Sequence, residues 1–355
     1  MSGDGPQTTG SVEVDRLQRW LSAHAPQIST PVRLVLISAG RSNLTYVLED
    51  SSGEQFVLRR PPAGTLLATA QLATVAGSGR PLSLSEEMMR CSRPTSCAVA
   101  NCADPGVIGA PFFVMPFVAG TIVTDQTAAR SLSDDVRQRV GTALATTLAQ
   151  LHAVDLDQVG LGDLRRNRSY AKRQLRRWGG QIEGDESPHN ESLRELGARL
   201  GEQIPASQRE VLLHGDFKLE NMILNPQGEV AAVLDWELAS VGDPLADLAW
   251  LLIWWGEPGE DQPWINPRPT SVGGFGDRES ITAEYARASA LDVTDIDYYM
   301  AFSYWRLSCI NVATRRRFLA GDMGNKVIDI GALDHQVTWQ TQAAADLLST
   351  HSVTS

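Results

Sequence analysis

The sequence has few cysteines, no long apolar run and no excess of basic residues. Four cysteines in 355 residues are too few for the disulfide framework of a secreted protein. The longest apolar run, residues 248–255, falls well short of the ~20 residues that span a membrane. The net charge of −11 argues against the strongly basic face of a nucleic-acid-binding protein. These deficits predict a cytoplasmic protein with neither a membrane nor a nucleic-acid partner.

The hydrophobic pattern divides the chain into a short lead and two lobes. Residues 1–10 are small and polar, unlike a secretory signal, and we expect them to be disordered. Residues 11–117 begin with a helical pattern and continue with strand patterns, including a hairpin signal at residues 50–53. Helical patterns dominate residues 118–355. The sequence therefore predicts an α+β fold, with a small antiparallel β lobe followed by a larger, mainly helical lobe.

The bounds of the expected elements follow from apolar spacing and turn residues. In the first lobe we expect a helix at residues 12–25 and strands at residues 32–37, 44–48, 55–60 and 112–115. In the second lobe we expect helices at residues 134–152, 170–178, 191–203, 244–255, 279–289, 295–318 and 334–348. A β-rich stretch at residues 211–234 interrupts these helices.

Residues 211–237 carry the polar side chains that suggest chemistry. An apolar strand pattern leads into a His-Gly-Asp turn at Asp216, Asn221 precedes a second apolar run, and a third run ends at Asp235. Mg²⁺ prefers carboxylate and other oxygen ligands together with substrate phosphates, so Asn221 and Asp235 are candidate metal ligands. Asp216 is placed to take the proton of a hydroxyl group. Lys218 is placed to reach a phosphate during its transfer.

The pattern Asp216-x-Lys218-x-Glu220-Asn221 resembles the catalytic loop of protein kinases, with His-Gly before the aspartate in place of His-Arg. With Asp235 after a later strand, it is similar to the aminoglycoside phosphotransferase branch of the kinase-like fold. Other strings are similar to the kinase-like domain fused to some acyl-CoA dehydrogenases and to its free-standing bacterial relatives. Those strings occupy residues 42–46, 56–62, 107–112 and 242–248.

The resemblance implies a protein-kinase-like bilobal fold in which ATP lies in a cleft between the lobes. Residues 11–117 are then the nucleotide-binding lobe, and residues 118–355 the catalytic and acceptor-binding lobe. The implied reaction is Mg²⁺-dependent transfer of the γ-phosphoryl group of ATP to a hydroxyl of a small molecule, such as an aminoglycoside-like or hydroxyacyl compound. The segment between Asp235 and Asp243 is too short for an activation loop, which favours a small-molecule acceptor over a protein.

The resemblance also implies a role for each site residue. Asp216 is implied as the catalytic base, and Asn221 and Asp235 as Mg²⁺ ligands, while Lys218 is a catalytic candidate from its position alone. The implied nucleotide-binding residues are Ser42 and Asn43 in the turn over the phosphates, Arg59 at the usual phosphate-pairing lysine position, and Met115, Phe117 and Val118 in the hinge beside adenine. Arginine keeps the charge of lysine and adds a bidentate fork.

Nearby polar residues have structural interpretations. We expect His214 to brace the loop, Asp247 to hold it through backbone N–H groups, and Asp243 to cap the helix that starts at Pro244.

The acceptor stays open at this stage. A basic run at residues 165–177 is either a solvated helix face or a site for an anionic acceptor such as an acyl-CoA. A Pro- and Gly-rich loop at residues 256–276 is either a lid or a flexible insertion. A set of aromatic residues belongs either to the core or in part to a pocket wall: Trp254, Trp255, Trp264, Tyr298, Tyr299 and Trp305. Aminoglycosides are polycations that favour an acidic pocket, so these features favour an acyl or anionic acceptor.

Two alternatives to a small-molecule kinase are also open. One is a metal-dependent hydrolase that uses His214, Asp216 and Asp235, although the chain has only six histidines. The other is a nucleotide-binding pseudokinase with lost or weak turnover, which is suggested by residues 71–97. Relatives resembling this chain carry an Arg-Glu pair shortly after the Pro-Pro at residues 61–62, and that glutamate pairs with the phosphate-binding cation.

Residues 73–80 contain no acidic side chain, and Glu86 and Glu87 come only after Pro81 has interrupted any helix. Back-translated with suitable codons and read two bases later, residues 76–84 spell Arg-Glu-Trp-Ser-Ala-Ile-Val-Ala-Leu. We therefore hypothesise a compensated frameshift across residues 71–97. If the segment is real as written, we expect it to lack a stable helix, Arg59 to lack its glutamate partner, and activity to be weak or absent.

Overall fold

The computed structural model describes residues 13–39, 44–61, 99–165, 169–184, 186–323 and 327–354. The chain divides into two compact units, Met1–Ala119 and Gly120–Ser355. An antiparallel sheet fills much of the first unit, and helices make up most of the second, which is the expected α+β architecture. Every helix in these described ranges is too short or too polar to traverse a lipid bilayer.

The first unit consists, in its described part, of a five-stranded antiparallel sheet with helix α1 packed against it. The elements are α1 (Val14–His24), β1 (Arg33–Ala39), β2 (Leu44–Glu49), β3 (Gln55–Arg60), β4 (Ala100–Cys102) and β5 (Phe112–Pro116). The strand order is β1-β2-β3-β5-β4. Leu17 and Leu21 of α1 join Tyr46, Leu48 and Leu58 of the sheet in one buried cluster.

The turn between β2 and β3 is built around the carboxylate of Asp50. Its Oδ1 accepts hydrogen bonds from the backbone N–H groups of Ser52 and Glu54, and its Oδ2 accepts one from the N–H of Ser29. The hydroxyl of Ser52 adds a fourth hydrogen bond at 2.6 Å. These donors, the Ser52 hydroxyl first, lower the pKa of Asp50 to about 2. The register of the hairpin is therefore fixed by its turn.

The second unit joins helices to two short β-ribbons. Its helices are α2 (Gln126–Ser131), α3 (Asp134–His152), α4 (Tyr170–Ile182), α5 (Asn190–Glu202), α6 (Leu245–Trp254), α7 (Arg278–Ser289), α8 (Ile296–Leu319) and α9 (Ile330–Thr354). Its strands are β6 (Val211–Leu213), β7 (Met222–Leu224), β8 (Val230–Val233) and β9 (Ser240–Gly242). Strand β6 pairs with β9, and β7 pairs with β8.

Three of these elements are absent from the sequence-based prediction. Strands β4 and β9 have three residues each, too few to show an alternating pattern. Helix α2 has six residues, too few for a helical period. Its one local signal is Asp125, whose side chain accepts the backbone N–H of Ala128 and so caps the helix.

Helix α6 is apolar on nearly every side and lies within the second unit. Every residue of α6 except Trp254 is buried, as expected for a helix that is hydrophobic all round. Asp247 and Trp250 are three residues apart, so their side chains project from the same face of this helix. The carboxylate and the indole N–H are therefore carried on a rigid, buried support.

Candidate active site

The loop that follows β6 is fixed by the carboxylate of Asp247. Oδ2 of Asp247 accepts the backbone N–H of His214 at 2.6 Å, and Oδ1 accepts that of Gly215 at 2.9 Å. Burial raises the pKa of Asp247, but the contact from His152, whose Nε2 lies 3.6 Å from Oδ2, and the N–H of Gly215 bring it below its ordinary value. Asp247 therefore holds the loop as expected from the sequence.

Glycine is required at position 215 by the close approach of the chain at Leu238. Gly215 has a φ angle of +83°, in the region that favours glycine. A Cβ atom there would lie 2.4 Å from the carbonyl oxygen of Leu238. The backbone at Leu238 therefore explains why this loop carries His-Gly-Asp and not a larger residue before the aspartate.

Both ring nitrogens of His214 are engaged in the loop. Nε2 lies 2.8 Å from the carbonyl oxygen of Leu234, and Nδ1 lies 3.2 Å from the backbone nitrogen of Asp216. A carbonyl only accepts and a backbone N–H only donates, so Nε2 carries the proton and Nδ1 is bare. Burial lowers the pKa of His214, which agrees with this neutral form. His214 is a brace, and neither nitrogen is left to bind a metal as the hydrolase interpretation requires.

The carboxylate of Asp216 is contacted on both oxygens. Oδ1 accepts the indole N–H of Trp250 at 2.7 Å, and Oδ2 accepts Nδ2 of Asn221 at 2.9 Å. Nζ of Lys218 lies 3.2 Å from Oδ2. The structure thus brings the two predicted catalytic residues together. Trp250 is a contact that the sequence analysis missed, although its helical spacing from Asp247 was a signal that could have revealed it.

Asn221 connects Asp216 to the segment that carries Asp235. Its Nδ2 also donates to the backbone oxygen of Asp216 at 2.8 Å, and its backbone oxygen accepts the N–H of Leu234 at 2.8 Å. Asp235 follows directly, with a φ angle of +67° that is uncommon for a residue other than glycine. Such strained conformations persist where the surrounding structure enforces them, often at functional sites. Asn221 therefore links Asp216 by hydrogen bonds to Leu234, the residue just before Asp235.

The oxygen atoms of this arrangement suit a hard divalent cation. In the described part of the chain, neither Oδ1 of Asn221 nor the carboxylate of Asp235 has a hydrogen-bond or ion-pair partner. One carboxylate and one neutral oxygen, completed by phosphate oxygens and water, match the preference of Mg²⁺. The residues present therefore fit the cation that the sequence pattern implies.

The predicted nucleotide-binding residues that the structure describes lie in the first unit. Arg59 is in β3, and its Nε is buried without a hydrogen-bond partner among the described residues. Met115 is paired with Val57 in the sheet, and the N–H of Phe117 donates to the backbone oxygen of Gln55. The N–H of Phe117 is therefore already used within the sheet and is not free for a ligand.

Val118 lies just beyond this pairing. Within the described residues its N–H has no acceptor, in contrast to that of Phe117. Ser42 and Asn43 lie outside the described residues, as does the segment 71–97 on which the frameshift and pseudokinase hypotheses rest.

Tryptophans lie beside Lys218, the lysine that the sequence analysis predicts to be catalytic. Nζ of Lys218 lies 4.4 Å from the ring centroid of Trp254, and the rings of Trp254 and Trp264 are 5.0 Å apart. The guanidinium of Arg268 lies 4.8 Å from the centroid of Trp264. These aromatic rings thus form a wall next to Lys218, and cations of the protein already lie over two of them.

The Pro- and Gly-rich segment between α6 and α7, residues 255–277, is tied down by two arginines. Arg268 is buried and donates to Oε2 of Glu260 at 2.8 Å and to the backbone oxygen of Ile253 at 3.2 Å. Arg278 donates to Oε1 of Glu260 at 2.5 Å and to the backbone oxygen of Trp255 at 2.5 Å. This segment, called the insertion below, is a packed structure and not the flexible insertion considered from its composition, whereas its role as a lid stays a prediction.

The basic run at residues 165–177 does not converge on one site in its described part. Arg165 pairs with Asp157 at 2.7 Å, and Arg173 donates to the backbone oxygen of Val241 at 2.8 Å. Arg176 and Arg177 are exposed. The run is therefore partly committed to structural contacts, which favours the solvated-face interpretation over an anion site.

The first unit contains an antiparallel sheet, and the second is mainly helical. The second unit carries the His-Gly-Asp loop, the asparagine that follows it and a further aspartate after a β-ribbon. Together these features define a kinase-like phosphotransferase fold. Residues 33–288 match the phosphotransferase enzyme family, APH. The chain belongs to this family.

This chain is also similar in sequence or fold to individual known proteins. Acyl-CoA dehydrogenase family member 10 of Mus musculus is 31% identical over 320 residues, which are 88% of this chain and 29% of that protein. This chain thus spans less than a third of the length of that relative. A crystal structure assigned as an aminoglycoside phosphotransferase of Ralstonia eutropha is 24% identical, with a TM-score of 0.78 over 96% of this chain and 99% of that chain. The streptomycin–ATP–APH(2″)-IIa ternary complex is 17% identical, with a TM-score of 0.55 over 85% and 90% of the two chains.

Proposed function

We propose that this protein is an ATP- and Mg²⁺-dependent phosphotransferase that moves the γ-phosphoryl group of ATP to a hydroxyl of a small molecule. The observation that carries the proposal is the set of hydrogen bonds made by Asn221. Its side chain holds Asp216, and its backbone holds Leu234 next to Asp235. A candidate base and two candidate metal ligands are thereby joined in one arrangement, as phosphoryl transfer requires.

Asp216 is the proposed base. Its side chain is 18% exposed, so an acceptor hydroxyl can reach it, while its hydrogen bonds fix its orientation. Nζ of Lys218 forms an ion pair with Oδ2 of Asp216 and supplies a positive charge for the phosphoryl group in transfer. The protein mainly positions groups and neutralises charge, which is how phosphoryl transfer is accelerated in general.

Asn221 Oδ1 and the carboxylate of Asp235 would hold Mg²⁺. Bound there, the ion neutralises charge on the phosphates of the nucleotide. The left-handed conformation of Asp235 and the hydrogen bond at Leu234 keep the carboxylate in place without a protein partner of its own in the described residues. The ion would therefore find oxygens that need no rearrangement of protein ion pairs.

Two features of the first unit support nucleotide binding there. The buried Nε of Arg59 has no partner among the described residues, and an anionic phosphate would satisfy it. The backbone N–H of Val118, free in the described part of the chain, suits an adenine nitrogen. Membership of the family and the likeness in fold to a complex with ATP are consistent with this assignment.

For the acceptor, the chemistry of the second unit favours a hydroxyacyl compound over an aminoglycoside. APH(2″)-IIa forms a complex with streptomycin and ATP, whereas the relative similar over most of this chain is named for acyl-CoA dehydrogenases. In the insertion, Glu260 is paired with both Arg268 and Arg278, and Glu257 pairs with Arg278. These carboxylates are not free for a polycation, and the wall beside Lys218 is aromatic.

The test is ADP release with Mg·ATP, measured for the purified chain against a panel of hydroxyacyl-CoAs and aminoglycosides. We expect stimulation by a hydroxyacyl-CoA. Aminoglycoside stimulation alone would reverse the acceptor assignment. ATP binding by calorimetry without turnover on any acceptor would contradict the kinase proposal and support the pseudokinase alternative.

Two variants test the assigned roles. Asp216→Asn should lower turnover by ~10²–10⁴ and leave ATP binding intact, because only the base is lost. Asp235→Asn should abolish Mg²⁺-dependent nucleotide binding. The matched control is Asp163→Asn, at an exposed aspartate away from the loop, which should behave as the parent protein. Identical behaviour of Asp216→Asn and Asp235→Asn would show that the division of roles is wrong.

A further inference from the structure

We propose that Trp250, supported by Arg306, is a positioning residue that holds Oδ1 of Asp216 and so leaves Oδ2 as the oxygen that takes the proton of the acceptor. This inference rests on the proposed function of the same site. It adds a role for two residues on helices α6 and α8 that lie outside the catalytic loop.

Trp250 is rigidly placed. It is 3% exposed, and its Nε1 donates to Oδ1 of Asp216 at 2.7 Å. An indole N–H is a donor only, so this hydrogen bond forms with a carboxylate oxygen and cannot reverse. The ring packs at 6.1 Å from that of Trp254 and lies under the guanidinium of Arg306, 4.2 Å from the ring centroid. The indole therefore fixes the rotation of the carboxylate.

Arg306 holds the backbone just before Asp216. It is 5% exposed, and its Nη2 donates to the carbonyl oxygen of Gly215 at 2.9 Å. Its guanidinium also lies 5.5 Å from the ring centroid of Trp178, so it sits between two indoles. Burying a cation is costly unless it is well contacted. Here the buried cation fixes both the backbone of the loop and the indole that binds the carboxylate.

The two oxygens of Asp216 are therefore not equivalent. Oδ1 accepts the N–H of the buried Trp250, whereas Oδ2 accepts Nδ2 of Asn221 and lies 3.2 Å from Nζ of Lys218, whose side chain is 19% exposed. Because Lys218 is the more exposed of these neighbours, we place the acceptor on the Oδ2 side, with Lys218 turned towards the phosphoryl group. In the proposed step the acceptor hydroxyl gives its proton to Oδ2 and its oxygen forms a bond to the γ-phosphorus. The bond from that phosphorus to the β–γ bridging oxygen breaks, and ADP leaves with the electron pair.

Removing the indole N–H should weaken the reaction without removing the base. In Trp250→Phe the carboxylate loses one donor and one constraint on its rotation, and we expect kcat to fall by about 10- to 100-fold with the KM for ATP unchanged.

Trp255→Phe is the matched control. Trp255 is also buried, and its Nε1 donates to the backbone oxygen of Gly276 at 3.1 Å, remote from Asp216 in the hydrogen-bond network. It should lose a similar amount of stability and keep the parent kcat and KM. Arg306→Lys, which keeps the charge but not the planar fork, should show a smaller fall in kcat than Trp250→Phe. Equal kinetics for Trp250→Phe and Trp255→Phe would overturn the proposal.

A spectroscopic measurement tests the contact even if no acceptor is turned over. The nine tryptophans give nine indole signals in a ¹⁵N-labelled protein, and the Trp250 signal is assigned by its loss in Trp250→Phe. We expect its N–H proton to resonate at a different position in Asp216→Asn at the same pH, because a neutral amide replaces the charged carboxylate that accepts the indole N–H, while the Trp255 signal stays in place. A Trp250 indole signal that does not move in Asp216→Asn would refute the positioning role. A failed acceptor screen together with a responsive indole would refute the proposed function alone.

Discussion

Two irregular segments pack on helix α6, and they are held by anchors of opposite charge. The catalytic loop, residues 214–221, is held by the carboxylate of Asp247, which accepts backbone N–H groups in the first turn of α6. The insertion is held by Arg268 and Arg278, which donate to backbone carbonyls at the end of the same helix. An acid near the start of a helix and cations near its end both suit the helix dipole.

The difference between the two anchors lies in redundancy. Asp247 is a single side chain that serves two backbone N–H groups of the catalytic loop. In the insertion, Arg268 and Arg278 both hold Glu260, and each also binds backbone oxygens. Losing one arginine leaves the other in place. The comparison teaches that the backbone N–H groups of His214 and Gly215 depend on a single acceptor, whereas the insertion keeps a second anchor when one is lost.

The largest expected effect on stability comes from Asp247→Ala, which removes the anchor of the catalytic loop. It leaves two buried N–H groups without an acceptor, at about 1–3 kcal/mol each, so we expect the free energy of unfolding to fall by about 4 kcal/mol. Denaturant unfolding measures this. Asp247→Asn keeps one side-chain oxygen as an acceptor and should cost about half as much. A loss below about 1 kcal/mol in Asp247→Ala would show that other contacts hold the loop.

A pair of glycines compares the two segments directly. Gly215 in the catalytic loop and Gly259 in the insertion have φ angles of +83° and +81°. A Cβ at Gly215 would lie 2.4 Å from a backbone oxygen, whereas one at Gly259 would meet no atom within 4 Å. Gly259→Ala should cost about 1 kcal/mol from backbone strain. Gly215→Ala adds the clash and should cost about 3 kcal/mol. Equal losses in unfolding free energy would contradict the close approach at Leu238.

Much of the catalytic loop could be predicted because its signals are local in sequence. The His-Gly-Asp turn, the spacing from Asp216 to Asn221 and the apolar runs around them predict strand ends that hold polar residues. The role of Asp247 follows from a carboxylate on an apolar helix, which needs a partner. Trp250 was harder because a tryptophan among apolar residues is usually core, and its contact with Asp216 depends on how α6 packs.

The insertion could not be predicted for a related reason. Its composition of proline, glycine and polar residues is typical of loops, and its rigidity comes from Arg268 and Arg278 meeting Glu260. Arg278 is 18 residues from Glu260 in the chain and starts helix α7. A periodic pattern in the sequence does not reveal a pairing between residues so far apart. Strand β9 was missed for the same reason, because its three residues become a strand only by pairing with β6.

Arg268→Met tests the redundancy of the insertion. The variant loses hydrogen bonds to Glu260 and to the backbone oxygens of Ile253 and Trp255, but Arg278 still holds Glu260. We expect the free energy of unfolding to fall by about 1 kcal/mol, well below the loss in Asp247→Ala. The double variant with Arg278→Met should lose clearly more than the sum of the single changes. Simple additivity in denaturant unfolding would show that the two arginines act independently.

The smallest expected effect is a difference in acid sensitivity. Glu260 in the insertion has a pKa below its ordinary value of 4.5, because hydrogen bonds from Arg278 outweigh the effect of burial. A carboxyl with a lowered pKa stabilises the fold above its ordinary value, and this contribution is lost as pH falls through the folded-state pKa. The insertion should therefore keep its full stability down to about pH 5.

The catalytic loop should respond at higher pH because it contains His214. Burial lowers the pKa of His214 below its ordinary value of 6.5, so the unfolded chain binds a proton there before the folded chain does. Stability then falls as pH drops below that value, by at most about 1.4 kcal/mol per pH unit for one proton. Urea unfolding between pH 7 and about pH 5 measures the slope. The slope should decrease in His214→Asn and persist in Glu260→Gln, and a slope unchanged by His214→Asn would mean that His214 is not held neutral in the folded loop.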